Sequence, residues 1–362
     1  MDKRKMVNKM TDALFFLLGK NDDQLNYLMK SVCMSCEKKS GWFVTYRTRQ
    51  KRYNTESALM DFVMLSGQCG IVIQGEIKKD NDFTIETVRM YRKFYPDIPI
   101  IVSTWEDADR KEIESLTQAG AEVILNKKPN STGLGNVNYQ SISTKEGCKR
   151  AQELGCEYVL KTRTDQRIYR PYFLEYFMTL IEQFPARGRK KSRKRLIVGP
   201  GIVGKTMFLP FMISDFLYFG AISDVETIFS GKESSVNMSS KEREEWTKGL
   251  KGTISRKDFL NITAPEMHLI RQYCDSVGQE KTDLTVKSYW FHVKENLICL
   301  GWNDINLYWP KYGLYSESKI ENSLNAQGNL NSYTWDFGKW LMLYQGKILY
   351  NEKYEKYCLD ND

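Results

Sequence analysis

Tyr158 to Gln166 reads YVLKTRTDQ, a short apolar run, Tyr158-Val159-Leu160, that stops abruptly in Lys161, Thr162, Arg163, Thr164 and Asp165. A buried strand that ends in charge puts those charges at its carboxyl end, where open α/β sheets bind their ligands. Upstream, Thr144 to Leu154 has helical spacing, and Gly155 suits the left-handed stop that follows a helix. The unit is helix, tight turn, strand, charged tip.

Toward the N-terminus the same pattern repeats. Ile71-Val72-Ile73 is a strand ending in Gln74-Gly75-Glu76, and Phe83 to Tyr95 is helical before Pro96. Ile98 to Val102 is a second strand, ending in Ser103-Thr104-Trp105-Glu106. Asp109 to Gln118 is helical with Gly120 as its stop, and Ala121 to Leu125 is a third strand, ending in Asn126-Lys127-Lys128-Pro129. A polar loop with Gly133 and Gly135 leads into the helix before Tyr158. Strands alternating with helices at this spacing predict an α/β fold with a mainly parallel sheet, its tips converging on one crevice.

Toward the C-terminus, Pro171 to Phe184 is helical and Leu196-Ile197-Val198 resumes the sheet. Between them Arg187 to Arg195 carries seven basic residues, a solvated loop or a contact for an anionic membrane. Phe208 to Ile222 suggests a pair of strands whose bend carries Asp215; Ser230 to Lys257 is a loop or surface helix. Ala264-Pro265-Glu266 opens a helix running to Cys274, with proline and an acid in its first turn. Beyond it, Trp290, Trp302, Tyr308, Trp309, Tyr312, Trp335 and Trp340 serve either core packing or stacking on sugar rings. At the other end, Asp12 to Lys30 can align Leu14, Leu18, Leu25 and Leu28 as a helical cap or a surface-bound amphipathic helix.

With 362 residues, 41% of them hydrophobic, the chain can bury a full core. The net charge of +8 favours anionic partners without being specific to nucleic acid, and none is expected. Eight scattered cysteines form no framework, and Cys33-Met34-Ser35-Cys36 lacks the second pair a zinc site wants, so a cytoplasmic protein with reduced thiols is expected. Met207 to Ile222 is interrupted by Pro210 and Asp215, too short an apolar stretch to span a membrane. His268 and His292 have no partner at ligand spacing, and Asp336-Phe337-Gly338 is a chance likeness to a kinase triplet.

Gly199 to Thr206, GPGIVGKT, satisfies the phosphate-cradling G-x-x-x-x-G-K-[ST] pattern. That loop must open a helix, and Pro210 follows too soon. A P-loop NTPase or kinase is therefore the alternative reading, not the first. The charged tip supports another chemistry. An enzyme using nucleotide sugars must hold a diphosphate and stabilise it as it leaves, with a carboxylate-bound divalent ion, basic side chains or both. Lys161, Arg163 and Asp165 are the right types.

The segments IVIQGEI, IPIIVSTWE, NVNYQSISTKEG, YVLKTRTDQRI, MISDFLYFG and APEMHLI, within Ile71 to Arg271, resemble the WavE family of lipopolysaccharide and capsule biosynthesis proteins. That family is similar to glycosyltransferases of the GT-A fold. The resemblance implies a Rossmann-related sheet in residues 68–275; outside it, the residues themselves read as a helical, basic extension in 1–67 and an aromatic-rich region in 276–362. The resemblance also implies a glycosyltransferase that moves a hexosyl unit from a nucleoside diphosphate sugar, UDP-linked, to a growing lipopolysaccharide or capsular glycan acceptor, which can be lipid-linked. A non-catalytic glycan-binding assembly protein stays open beside it.

GT-A enzymes commonly carry Asp-x-Asp at the end of this strand, holding Mn²⁺ or Mg²⁺. Here the matching residues are Arg163-Thr164-Asp165, so the first carboxylate is missing and two arrangements stay open: Asp165 as the metal ligand, with water and phosphate completing the ion's shell, or Arg163 and Lys161 neutralising the diphosphate directly. The same comparison implies donor contacts from Gln74, Gly75, Glu76, Thr104, Trp105, Asn138, Gln140, Thr144, Lys161 and Arg163. For the acceptor's base in an inverting transfer it implies Glu266 first and Asp215 second.

Overall fold

Val and Ile dominate the first strands, and β-branched side chains buried on both faces are what a covered parallel sheet selects. The computed structural model describes residues 3–18, 21–39, 41, 43, 48–52, 68–186, 194–201, 206–231, 233–236, 238, 240–277, 280–310 and 333–359. The chain divides into two compact units, Met1–Gln50 and Lys51–Asp362.

The first unit holds α1 (Lys3–Leu18) and α2 (Asp22–Glu37). Two helices thus stand where one was expected over Asp12 to Lys30, because Asn21 caps α2 by accepting from Gln24 N–H at 2.9 Å. Leu28 is buried and Leu14 is exposed.

In the second unit, β1 (Cys69–Gln74), α3 (Phe83–Phe94), β2 (Ile100–Trp105), α4 (Arg110–Gln118), β3 (Glu122–Asn126), α5 (Val137–Glu153) and β4 (Tyr158–Arg163) follow in order. Then come β5 (Arg167–Ile168), α6 (Phe173–Gln183), β6 (Leu196–Val198), β7 (Tyr218–Ala221) and α7 (Ile222–Ile228). The rest is α8 (Ser240–Leu250), α9 (Arg256–Thr263), α10 (Pro265–Val277), α11 (Val286–Asn296), β8 (Leu297–Cys299), α12 (Trp302–Ile305) and β9 (Leu307–Tyr308), with α13 (Phe337–Tyr344) and α14 (Lys356–Leu359) last. One sheet has the order β3-β2-β1-β4-β7-β6-β8; β5 and β9 form a small second one.

β3, β2, β1 and β4 are parallel, β7 runs antiparallel between β4 and β6, and β8 pairs parallel with β6. The expected mainly parallel sheet flanked by helices is present. The region after residue 276 supplies β8 to the main sheet and β9 to the small one. β1 and β2 are buried along their whole length, while β3, at the edge, is half open. α5 lies across β1 and β2 so closely that a Cβ on Gly147 would strike Val72.

Several sequence expectations are corrected. Phe208 to Ile222 is not a pair of strands: only Tyr218–Ala221 pairs, and Asp215 precedes it in an irregular segment. Ile202–Lys205 of the P-loop-like stretch lie outside the described residues. Thr206 opens a three-residue 3-10 turn, and no α-helix intervenes among the described residues before Tyr218. The Thr206 hydroxyl accepts from Trp335 N–H at 3.2 Å, so its role is structural. Trp290, Trp302, Trp309, Trp335 and Trp340 are buried in the core, which answers the choice between packing and sugar stacking for them. Tyr312 and most of Arg187 to Arg195 lie outside the described residues; Arg195 is buried and donates to Phe184 O at 2.7 Å. Asp336 is the N-cap of α13, accepting from Lys339 N–H.

Candidate active site

Three strand tips build the floor of the site. β1 and β4 end level, Gln74 being paired to Arg163 on one side and to Ser103 on the other, and β2 runs on to Trp105. Past the strands the backbone is stitched together. Gly75 N–H donates to Ser103 O (3.0 Å), Thr164 N–H to Gln74 O (3.1 Å) and the Thr164 hydroxyl to Glu76 O (2.6 Å). Gly75 turns at φ 119°, and a Cβ there would lie 3.1 Å from the Thr164 hydroxyl, so both conformation and space call for glycine. On the outer side the Asn126 amide donates to Thr104 O at 2.7 Å and ties β3 to β2.

Over this floor opens a cleft of about 720 Å³. Gln74, Gly75, Glu76, Thr104, Trp105, Gln140, Arg163 and Asp165 all line it, so residues far apart in sequence meet as expected. The Thr104 hydroxyl is buried without a hydrogen-bond partner among the described residues. Trp105 meets Tyr139 edge to face, with ring centroids 4.8 Å apart.

Asn138, Thr144 and Lys161 are not among the lining residues. Asn138 is a structural clamp: its amide donates to Ser131 O (3.0 Å) and Ser234 O (2.7 Å), and its oxygen accepts from Ser234 N–H. Thr144 is buried on α5. Lys161, with no exposed surface, donates to the Asp215 backbone oxygen and to Gln140 Oε1 (3.4 Å). Burial pushes its ammonium down to about 7, with the Asp215 carboxylate pulling the other way.

Lys78, Lys79, Asp107, Asp109, Glu112, Lys128, Tyr139 and Thr164 also line the cleft, though none was singled out as a site residue from the sequence. The signal was there: Lys78, Lys79 and Lys128 follow closely after strand ends, the positions an open sheet presents to a ligand. These charges alternate in sign. Lys79 pairs with Asp109 at 3.0 Å, Lys128 with Asp107, and Lys78 lies 3.9 Å from Glu76.

Arg163 forks onto Asp165, Nε to Oδ1 at 2.8 Å and Nη2 to Oδ2 at 3.0 Å. Its guanidinium also sits 5.2 Å from the Trp309 ring centroid. Burial alone would raise the Asp165 carboxyl, but the Arg163 fork outweighs it and holds the group below the usual range. This donor set does not fit the divalent ion the resemblance implied. Both Asp165 oxygens are engaged, and among the described residues no three His, Cys, Asp or Glu side chains cluster to hold a metal. A divalent ion on Asp165 would have to displace the Arg163 fork from that carboxylate.

Asp215 and Glu266, the expected base candidates, are electrostatic neighbours beside the cleft, not in its lining. Gln140 links them to it, lining the cleft while its amide donates to Asp215 Oδ2. Glu266 stands in the first turn of α10, and Pro265 beside it packs against Gly135 of the cleft wall. Burial, then the neighbouring Asp215 carboxylate, pushes the Glu266 carboxyl up to about 7.

A family model described as WavE lipopolysaccharide synthesis matches residues 69–359. No curated protein sequence matches the chain. Among solved structures, 4-diphosphocytidyl-2C-methyl-D-erythritol synthase from Anaerococcus prevotii is 14% identical, covering 49% of this chain and 84% of its own, with a TM-score of 0.30. A glycosyltransferase involved in glycosylation of the major capsid of PBCV-1 is 12% identical, covering 63% of this chain and 91% of its own, with a TM-score of 0.29.

Proposed function

The chain belongs to the WavE lipopolysaccharide synthesis family, and from that premise we propose that it is an inverting glycosyltransferase using a nucleoside diphosphate sugar. The donor is UDP-linked, the group moved is a hexosyl unit, and the acceptor is a growing lipopolysaccharide or capsular glycan. The observation that carries this reading is the cleft at the carboxyl ends of β1, β2 and β4, which joins residues implied for the donor with a ring of lysines. No helix among the described residues is long and apolar enough to cross a membrane. A lipid-linked acceptor would be met at the inner face of the plasma membrane, with the basic residues of the run that precedes the buried Arg195 as the contact.

In the transfer, the acceptor oxygen bonds to the anomeric carbon as the carbon–oxygen bond to phosphate breaks. The electron pair leaves with the diphosphate, and the hydroxyl proton passes to a carboxylate. Glu266 is the first choice for that base, because a carboxyl poised near 7 both accepts a proton and remains ionised often enough to act. Asp215, fixed by the Gln140 amide, is the second. Arg163 and the rim lysines Lys78, Lys79 and Lys128 meet the charge that grows on the departing diphosphate.

A thermal-shift panel of UDP-, GDP- and CMP-sugars on the full chain tests this reading. A UDP-hexose at about 100 times its Kd is expected to add about 2.7 kcal/mol of stability, with slow release of UDP on incubation. If no nucleotide sugar binds and none is hydrolysed, a non-catalytic glycan-binding protein is the reading that survives.

A further inference from the structure

We propose that this chain holds its donor's diphosphate with fixed cations in place of a divalent ion, Arg163 being the central one. The inference rests on reading the cleft as a nucleoside diphosphate sugar site and specifies how that site neutralises charge. At the tip of β4 the arginine is oriented three ways: by its bidentate fork on Asp165, by the Trp309 ring 5.2 Å away and by its place on a strand paired to β1. A planar guanidinium set in this manner meets phosphate oxygens with little ordering left to do. Asp165 is thereby a buttress, each of its two oxygens accepting from the arginine.

The rim completes the cradle. Lys78, Lys79 and Lys128 enter the same cleft, each about half exposed and within 4.0 Å of a carboxylate. Exposed pairs of this kind contribute little, so a lysine can exchange its carboxylate for a phosphate oxygen at small cost. The remaining carboxylates of the cleft are spread along the rim beside those lysines, with no cluster of three for a cation among the described residues. When the sugar–phosphate bond breaks, the electron pair that stays on the diphosphate is met by charges already in position, with no ion to recruit.

Calorimetric titration of the full chain with UDP, in EDTA and then with excess Mn²⁺ or Mg²⁺, tests this. Binding in EDTA is expected within about threefold of that with metal, a difference of about 0.6 kcal/mol or less. Arg163→Ala should weaken UDP by about tenfold or more while weakening uridine much less, since charge-assisted phosphate contacts are lost and base contacts are kept. Arg163→Asp should bind poorly in EDTA and recover with Mn²⁺, because the paired carboxylates it makes available are hard-ion ligands. If Arg163 variants do not fold by circular dichroism, Lys79→Gln and Lys128→Gln take their place, each expected to weaken UDP about threefold or more in EDTA. Native protein that gains about tenfold or more from Mn²⁺, or variants that bind UDP unchanged, would overturn the inference and leave the glycosyltransferase reading standing. No binding of any nucleoside diphosphate under either condition overturns both.

Discussion

Glu266 and Lys161 both interact with Asp215, and both have been moved toward neutrality by burial. If Glu266 takes the acceptor's proton it must be ionised to act. Transfer should therefore rise with pH through about 7 and level off above it. Glu266→Gln should lower kcat by about 10²- to 10⁴-fold and remove that limb of the profile; full loss in Asp215→Asn with Glu266→Gln unaffected would reverse the assignment. For Lys161 the consequence is for stability. Its folded pKa lies near 7, well below the ordinary lysine value of 10.5, so between those limits the unfolded chain holds more protons than the native one. Stability from this group therefore improves as pH rises through that window and is poorest at and below 7. Urea unfolding of the native chain and Lys161→Met at pH 7 to 9 should show the native protein gaining on the variant by about 1 to 3 kcal/mol; parallel curves would refute it. The residue types at this strand tip were legible in the sequence, since a run such as Leu160-Lys161-Thr162-Arg163 announces a polar end. Depth was not. Arg163 is the last residue of β4 and reaches the cleft, whereas Lys161, two residues deeper in the strand, meets Asp215 and Gln140, and both partners come from other elements.

α5 is the element that joins sheet to site. Its first turns carry Tyr139 and Gln140 into the cleft, Ser143 donates to Gln74 Oε1 at 2.9 Å, and Gly147 lets its axis approach β1. Gly147→Ala would gain helix propensity of about 1 kcal/mol, but its methyl group has nowhere to go between Val72 and Ser103. Overpacking of that kind costs about 1 to 3 kcal/mol, so a net loss of stability is expected, together with weaker nucleotide binding as Gln74 and Gln140 shift. Chemical denaturation and calorimetry on the one variant check both effects; unchanged stability would mean the helix can slide. The parallel strands β1 and β2 were readable from continuous Ile and Val, and β4 from Tyr158-Val159-Leu160, because both sheet faces are covered. β7 was only half readable. A short aromatic strand carries no usable period, and its neighbours β4 and β6 are fixed by tertiary pairing.

At the scale of the molecule the two units differ in what holds them. Among the described residues, those lining the cleft lie between Gln74 and Asp165, inside the second unit, and the large hydrophobic core begins at Cys69. Among the described residues of the first unit, the buried apolar side chains are Leu28 and Cys33, while Met6, Val7, Met10, Leu14 and Leu17 are exposed along α1. Ordering a residue costs about 1 to 2 kcal/mol, and a fully buried Leu recovers only about 1.5 to 3 kcal/mol. Two helices with so little burial are marginal by themselves. Amides of α1 and α2 should therefore exchange hydrogen orders of magnitude faster than those of β1, β2 and β4, which open only with the whole sheet. Removing residues 1–50 should leave the calorimetric midpoint within a few degrees and UDP affinity within about twofold. A truncated chain that no longer bound UDP, with its sheet intact by circular dichroism, would mean that the donor site extends beyond the cleft.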